Sequence, residues 1–214
     1  ITTRAGDPAF ARSHGIPAAS LEGYLFPDTY LFPRGVSAEA ILTAMLQRFR
    51  SVFSDEWEQR AAQIGLTVHD VVTLASIIEK ETGAPSERPL ISSVFHNRLK
   101  KGMRLETDPT VIYGIRDFDG NLTRKHLETF TPYNTYVIKG LPPGPIGNPG
   151  LESLRAVLWP DDGCRDLYFV ARGDDFKAGR GFGVETTSAA SAAGAGGDHQ
   201  VARAVPSPPS GAKD

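Results

Sequence analysis

One cysteine, Cys164, in a chain of 214 residues excludes an internal disulfide framework and any cysteine-based metal site. The five histidines, His14, His69, His96, His126 and His199, show neither a His-Glu-x-x-His pattern nor another metal-ligand spacing. Each therefore reads as surface or core, and no metal or other cofactor is expected. An excess of one charge is also lacking. The formal net charge is −2 and the basic residues are scattered singly or in pairs, which gives no electrostatic footprint for nucleic acid. No run approaches the roughly 18 apolar residues of a membrane span, and no signal peptide is present. The chain opens at Ile1 instead of Met, so it is expected to be a piece of a longer protein, and silence about an anchor upstream means little. Beyond Val184 large apolar residues almost disappear and Gly, Ala, Ser and finally Pro take over. That composition cannot bury enough surface to pack, so disorder is expected beyond about residue 185. What remains is long enough for one sizeable core.

What is there centres on Thr67 to Thr107, two helices joined by a short turn. Thr67 starts the first, with Asp70 three residues on as an imperfect capping box, and Gly83 stops it. Between them Val71, Val72, Leu74, Ala75, Ile77 and Ile78 leave hardly any polar circumference, so the helix is expected to be buried on most sides. Such a helix ends in Glu79 and Glu81. Two positions apart they point about 200° away from each other, so one cleft receives only one of them directly. Glu79 stands above Ser76, Ala75 and Val72, a stripe of small side chains that predicts room beside the carboxylate for a sugar ring. Glu81 stands above Ile77, Ile78 and Leu74, a bulkier stripe that suits core. Desolvation on an apolar helix disfavours an ionised carboxyl group, the condition that a general acid working near neutral pH requires. Lys80 points about 100° from Glu79, so desolvation is expected to outweigh it, with Arg104 as the less certain cation. The same two glutamates fit a solvated helix end equally well, and the residues alone leave both readings open.

Around this centre, residues 1 to 20 read as a loop or the end of an upstream module. Leu21 to Pro33, dense in aromatics and broken by Pro27 and Pro33, reads as an extended, irregular segment. Its aromatics suit either core or the stacking walls of a carbohydrate groove. Ser37 and Ser54 cap two scaffold helices. Ser86 and Glu87 open a helix with Leu90, Ile91, Val94, Phe95 and Leu99 on its buried face, and Lys100, Lys101 and Gly102 close it. Residues 102 to 110 carry polar groups enough to hydrogen-bond a ligand, although Thr107-Asp108-Pro109 is ordinarily turn chemistry. Gly140 to Gly150 holds four prolines and four glycines besides the anchors Leu141 and Ile146 beyond Gly140, which predicts a long rigid loop. Leu151 to Trp159 reads as a short helix and Leu167 to Ala171 as a strand.

Eight segments in order make the chain resemble the endolytic murein transglycosylase family, also called YceG-like or MltG. They are Leu-Glu-Gly-Tyr-Leu-Phe-Pro-Asp-Thr-Tyr at 21–30, Ala-Ser-Ile-Ile-Glu-Lys-Glu-Thr at 75–82, Val-Phe-His-Asn-Arg-Leu at 94–99 and Met-Arg-Leu-Glu-Thr-Asp-Pro-Thr-Val-Ile-Tyr-Gly at 103–114. Pro-Tyr-Asn-Thr-Tyr at 132–136, Gly-Leu-Pro-Pro-Gly-Pro-Ile at 140–146, Asn-Pro-Gly at 148–150 and Leu-Tyr-Phe-Val-Ala at 167–171 complete the set. The resemblance implies a domain over 21–173, followed by a divergent tail over 174–214. It implies internal cleavage of peptidoglycan between N-acetylmuramic acid and N-acetylglucosamine with a 1,6-anhydro end, and it sets the catalytic glutamate on Glu79. The implied setting is a single-pass protein of the cytoplasmic membrane with its catalytic part outside, whose upstream anchor and LysM-like module lie outside this chain. Implied partners are peptidoglycan glycan strands and, beyond them, cell-wall synthases, with no nucleic acid. Two departures stand out. Residues 174–203 lack the family's return strand and Glu-His-Asn helix, and Glu106 replaces an expected Gln.

The expected fold is α+β, a mainly helical catalytic core packed with a small antiparallel sheet that includes 167–171. The expected groove brings Glu22, Asn97, Arg104, Thr107, Asp108, Tyr113, Tyr133, Asn134, Thr135, Tyr136 and Asn148 around Glu79 as substrate-binding residues; singly, each suits turn or core chemistry as well. Two rivals accompany the transglycosylase. A hydrolytic muramidase would use Glu22 or Asp108 as a second carboxylate, and a non-catalytic peptidoglycan-binding scaffold would serve the cell-wall synthesis machinery.

Overall fold

The computed structural model describes residues 2–16 and 18–169. Nine α-helices are found among them: α1 (Thr2–Ala5), α2 (Pro8–Ser13), α3 (Ala38–Val52), α4 (Asp55–Gln63), α5 (Val68–Glu81), α6 (Arg88–Lys100), α7 (Asp108–Tyr113), α8 (Arg124–Glu128) and α9 (Leu151–Leu158). A 3₁₀ turn, Pro85–Glu87, leads into α6.

The central helix α5 starts where its cap dictates. The Thr67 hydroxyl accepts the Asp70 N–H, and the Asp70 carboxylate accepts both the Thr67 N–H at 2.9 Å and its hydroxyl at 2.6 Å. A short acidic side chain thus completes the capping box as a glutamate would. From Val71 to Ile78 every side chain of α5 is buried, enclosed chiefly by α9, α6, α7 and α4. Burying Val71, Val72, Leu74, Ile77 and Ile78 contributes gross stabilisation of roughly 10 kcal/mol. α4 joins the far end of α9, where Arg60 Nε donates to the Leu158 carbonyl at 3.0 Å and Trp57 meets Trp159 edge to face. Arg98 of α6 donates to the Leu105 and Leu167 carbonyls, both at 2.6 Å, and so fixes the segments on either side of it.

Three expectations change. Residues 2–16 contain α1 and α2, and Phe10, Ala11 and Ile16 reach the core; few apolar anchors are enough when each is fully placed. The expected sheet is not found among the described residues, whose regular structure is helical. Leu167 to Phe169 form no strand, because a strand needs a ladder partner and the Leu167 carbonyl is taken by Arg98. Val170, Ala171 and the tail over 174–214 lie outside the described residues. Finally, the space above the small stripe of α5 is not open. The Pro/Gly loop fills it, with the Ile146 N–H donating to the Ser76 hydroxyl at 3.0 Å and His69 Nε2 3.0 Å from the Pro143 carbonyl.

Candidate active site

Glu79 lies in the last turn of α5, where the helix leaves the apolar core. Beyond it Thr82 turns the chain back, donating its hydroxyl to the Glu87 carboxylate at 2.8 Å and accepting the Ala84 N–H at 3.0 Å. That turn delivers Arg88, first residue of α6, onto Glu79, with Nη2 2.9 Å from Oε1. From the other side α9 presents its first turn. The Gly150 N–H donates to Glu79 Oε2 at 3.0 Å and the Ser153 hydroxyl donates to the same oxygen at 2.7 Å. The segment of prolines and aromatics at 21–33 borders this point too, since a Cβ on Gly150 would lie 3.5 Å from Glu79 Oε2 and 4.0 Å from Pro27 Cγ.

A guanidinium and two neutral donors thus surround the Glu79 carboxyl group. Lys80 takes no part in this set; its side chain runs toward Gly147, as its helical position requires.

The remaining candidates fall into two further groups and some single placements. On one flank Asn148 Oδ1 accepts the Gly23 and Leu25 N–H groups at 2.8 and 3.2 Å, which pins the segment bearing Glu22 to the loop leading into Gly150. Glu22 accepts the Tyr113 hydroxyl at 2.6 Å, and the Tyr113 and Tyr133 rings lie 4.7 Å apart. Burial and the adjoining Glu22 carboxylate both raise the Tyr113 phenol well above its ordinary range, so it is a lasting donor. The other flank belongs to Glu81. Burial raises its carboxyl to about 7; the Asp108 charge adds to the shift, while Thr107 and Arg98 oppose it. Tyr136 donates its hydroxyl to Asp108 at 2.7 Å. Thr135 accepts the Thr107 N–H at 3.0 Å and meets the Thr110 hydroxyl at 2.8 Å.

Asn134 is fully buried, with its amide donating to the carbonyls of His126, Leu127 and Thr129, so it closes α8. Asn97 donates to the Cys164 and Asp166 carbonyls on a cavity of about 470 Å³ also lined by Ser93, His96, Lys100 and Arg165. Among the described residues Asn97 bonds to no other member of the expected groove, and Asn134 to one, its Oδ1 accepting the Tyr136 N–H at 3.0 Å. Arg104 is exposed. Glu106, the departure from the expected Gln, has a positive φ of 51°, alone among the described non-glycine residues, and lies 3.8 Å from Arg98.

Sequence reasoning missed Arg88 and Ser153. A hydroxyl in the first turn of α9 was the available signal for Ser153. Arg88 gave none, because its place depends on how the turn after Thr82 folds back.

The fold and the site define a helical domain whose polar centre is a carboxylate at the end of a buried helix, pinned from two neighbouring helix starts. By its match to the family model over residues 3–183, described as the YceG-like family, the chain belongs to that family. It is 44% identical over 153 residues to the endolytic murein transglycosylase of Bacillus subtilis, covering 71% of this chain and 42% of that protein. To the protein of the same name from Streptococcus pneumoniae serotype 2 it is 33% identical over 156 residues, covering 71% of this chain and 28% of that one. A Listeria monocytogenes protein with a crystal structure described as YceG-like shares 40% identity and a TM-score of 0.71, covering 79% of this chain and 60% of that one. The chain thus spans less than half the length of these two curated relatives.

Proposed function

We propose that this domain is a lytic transglycosylase that cuts peptidoglycan glycan strands internally at the β-1,4 bond from N-acetylmuramic acid to N-acetylglucosamine, leaving 1,6-anhydro-N-acetylmuramic ends. The observation that carries the reading is a single carboxylate, Glu79, oriented by Arg88, Gly150 and Ser153 in a chain akin to proteins named endolytic murein transglycosylase. One carboxyl group is enough for this reaction. Protonated, Glu79 gives its proton to the glycosidic oxygen as the C1–O bond breaks. As a carboxylate it then takes the proton of the muramic acid C6 hydroxyl, whose oxygen closes on C1, so the proton is returned and no water is consumed. A hydrolase needs a second carboxylate to activate water, and the two candidates, Glu22 and Asp108, each accept a tyrosine hydroxyl instead.

The substrate sets the place of action outside the cytoplasmic membrane, and attachment through an upstream anchor, with cell-wall synthases as neighbours, belongs to the same reading. Among the described residues no single helix is long and apolar enough to cross a membrane.

The test is digestion of purified peptidoglycan with mass analysis of the products, because anhydro ends are one water lighter than hydrolysed ends. Glu79→Gln should lower cleavage a hundredfold or more with the fold retained, and Glu81→Gln should lower it much less. Equal losses would displace the acid from Glu79, hydrated ends would make the protein a muramidase, and glycan binding without turnover by the unaltered protein would make it a scaffold.

A further inference from the structure

Each oxygen of a carboxylate offers two lone pairs, and the donors around Glu79 are not shared equally between them. Oε2 accepts both the Gly150 N–H and the Ser153 hydroxyl, whereas Oε1 accepts Arg88 Nη2 alone. Among the described residues the one lone-pair position without a donor is therefore on Oε1, beside the guanidinium. From this asymmetry we propose that Arg88 is a positioning residue for the proton transfers at Glu79, which take place at Oε1, while Ser153 and Gly150 hold Oε2 still. The inference rests on the transglycosylase reading and assigns the atom at which it operates.

Two arginines of α6 show why Arg88 is more than scaffold. Arg98 is tied into the fold by two backbone carbonyls. Arg88 has a single hydrogen bond among the described residues, to Glu79, and its buried Nε has no partner. A guanidinium left with an unsatisfied buried donor costs stability, and among the described residues the hydrogen bond that Arg88 makes in return is to the carboxylate. An arginine carries donors alone and does not give up its proton, so it cannot compete with the sugar for the proton on Oε1. What it can do is fix the carboxyl plane and stabilise the carboxylate that exists between protonation of the glycosidic oxygen and recovery of the C6 proton. Both effects act on the steps after binding. Its loss should therefore lower kcat and leave KM nearly unchanged.

The experiment compares Arg88→Ala, Arg88→Lys and Glu79→Gln on purified peptidoglycan, with and without added guanidinium at millimolar concentration. The expected result for Arg88→Ala is a ten- to hundredfold fall in kcat with KM within about twofold, partly restored by guanidinium. Arg88→Lys, which keeps the charge but loses the planar fork, should fall between Arg88→Ala and the unaltered protein; it also serves as the test if Arg88→Ala does not fold. Guanidinium should not restore Glu79→Gln. A wild-type kcat in folded Arg88→Ala or Arg88→Lys, or a loss confined to KM, overturns the inference while leaving the activity of Glu79 standing. Full cleavage by Glu79→Gln overturns the underlying reading instead.

Discussion

Gly23 meets Pro145 so closely that a Cβ on the glycine would stand 2.3 Å from the ring Cγ and 2.7 Å from Val72 Cγ1. The glycine has a φ of +89°, the left-handed region that a side chain enters at a cost. This contact clamps the 21–33 segment and the Pro/Gly loop together on α5, and the same loop continues to Gly150 on Glu79. Gly23→Ala should therefore destabilise the domain by about 3 kcal/mol or more, strain and overpacking adding together. It should also lower glycan cleavage in whatever fraction remains folded. Urea denaturation checks the first effect; an unchanged midpoint would mean that the loop yields freely.

The helices were legible in the sequence because their instructions are local. Ser37, Thr67 and the apolar spacing of α3, α5 and α6 set boundaries within a few residues of those found. The flank of Glu22, Tyr113, Tyr133 and Asn148 was legible as a set of polar and aromatic residues, three of them on irregular segments and Tyr113 at the end of α7. The direct partners of Glu79 were not. Arg88 and Ser153 lie nine and seventy-four positions from it, and a reading by helical face compares a residue only with its own helix. For the same reason the small stripe beneath Glu79 read as room, when a loop seventy residues away covers it. Glu81 read as core, and the half-buried carboxyl found there follows from its packing against α7.

Glu81 should make stability depend on pH in an identifiable direction. Its folded value of about 7 lies above its ordinary value of 4.5 because burial penalises the charge. Between those values the folded state binds more protons than the unfolded one, so this contribution falls as pH rises and is fully lost above about pH 7. The loss is on the order of 3 kcal/mol at most. Glu81→Gln removes it. The stability of the variant relative to the unaltered protein should therefore increase from pH 5 to pH 8 in urea titrations. A constant difference, or one that shrinks, would place Glu81 in water.

Asn134 holds the end of α8 in place. Its amide group donates to three carbonyls and its Oδ1 accepts the Tyr136 N–H at 3.0 Å. Asn134→Ala should cost about 3 kcal/mol. Asn134→Asp should cost more, because it brings a carboxylate against three carbonyl oxygens. Thermal denaturation orders the two variants, and an Asp variant as stable as the parent would refute the assignment.

The pair formed by Tyr113 and Tyr133 offers a last test, directed at the groove. Tyr113 remains 38% exposed although its ring lies 4.7 Å from Tyr133 and its hydroxyl is held by Glu22, so part of an oriented aromatic face is left for a sugar ring to cover. Neither ring is among the hydrogen-bond partners of Glu79. A sugar stacked there is held alike in the ground and transition states, and such uniform binding appears in KM and not in kcat. Tyr113→Ala should raise KM for glycan strands about tenfold, which is about 1.4 kcal/mol, with kcat within a factor of about two. Tyr113→Phe keeps the face and loses the bond to Glu22, so its KM should change much less. If Tyr113→Ala binds glycan as well as the parent, the groove does not run along this flank; a fall in kcat with KM unchanged would instead bring Tyr113 into the chemistry at Glu79.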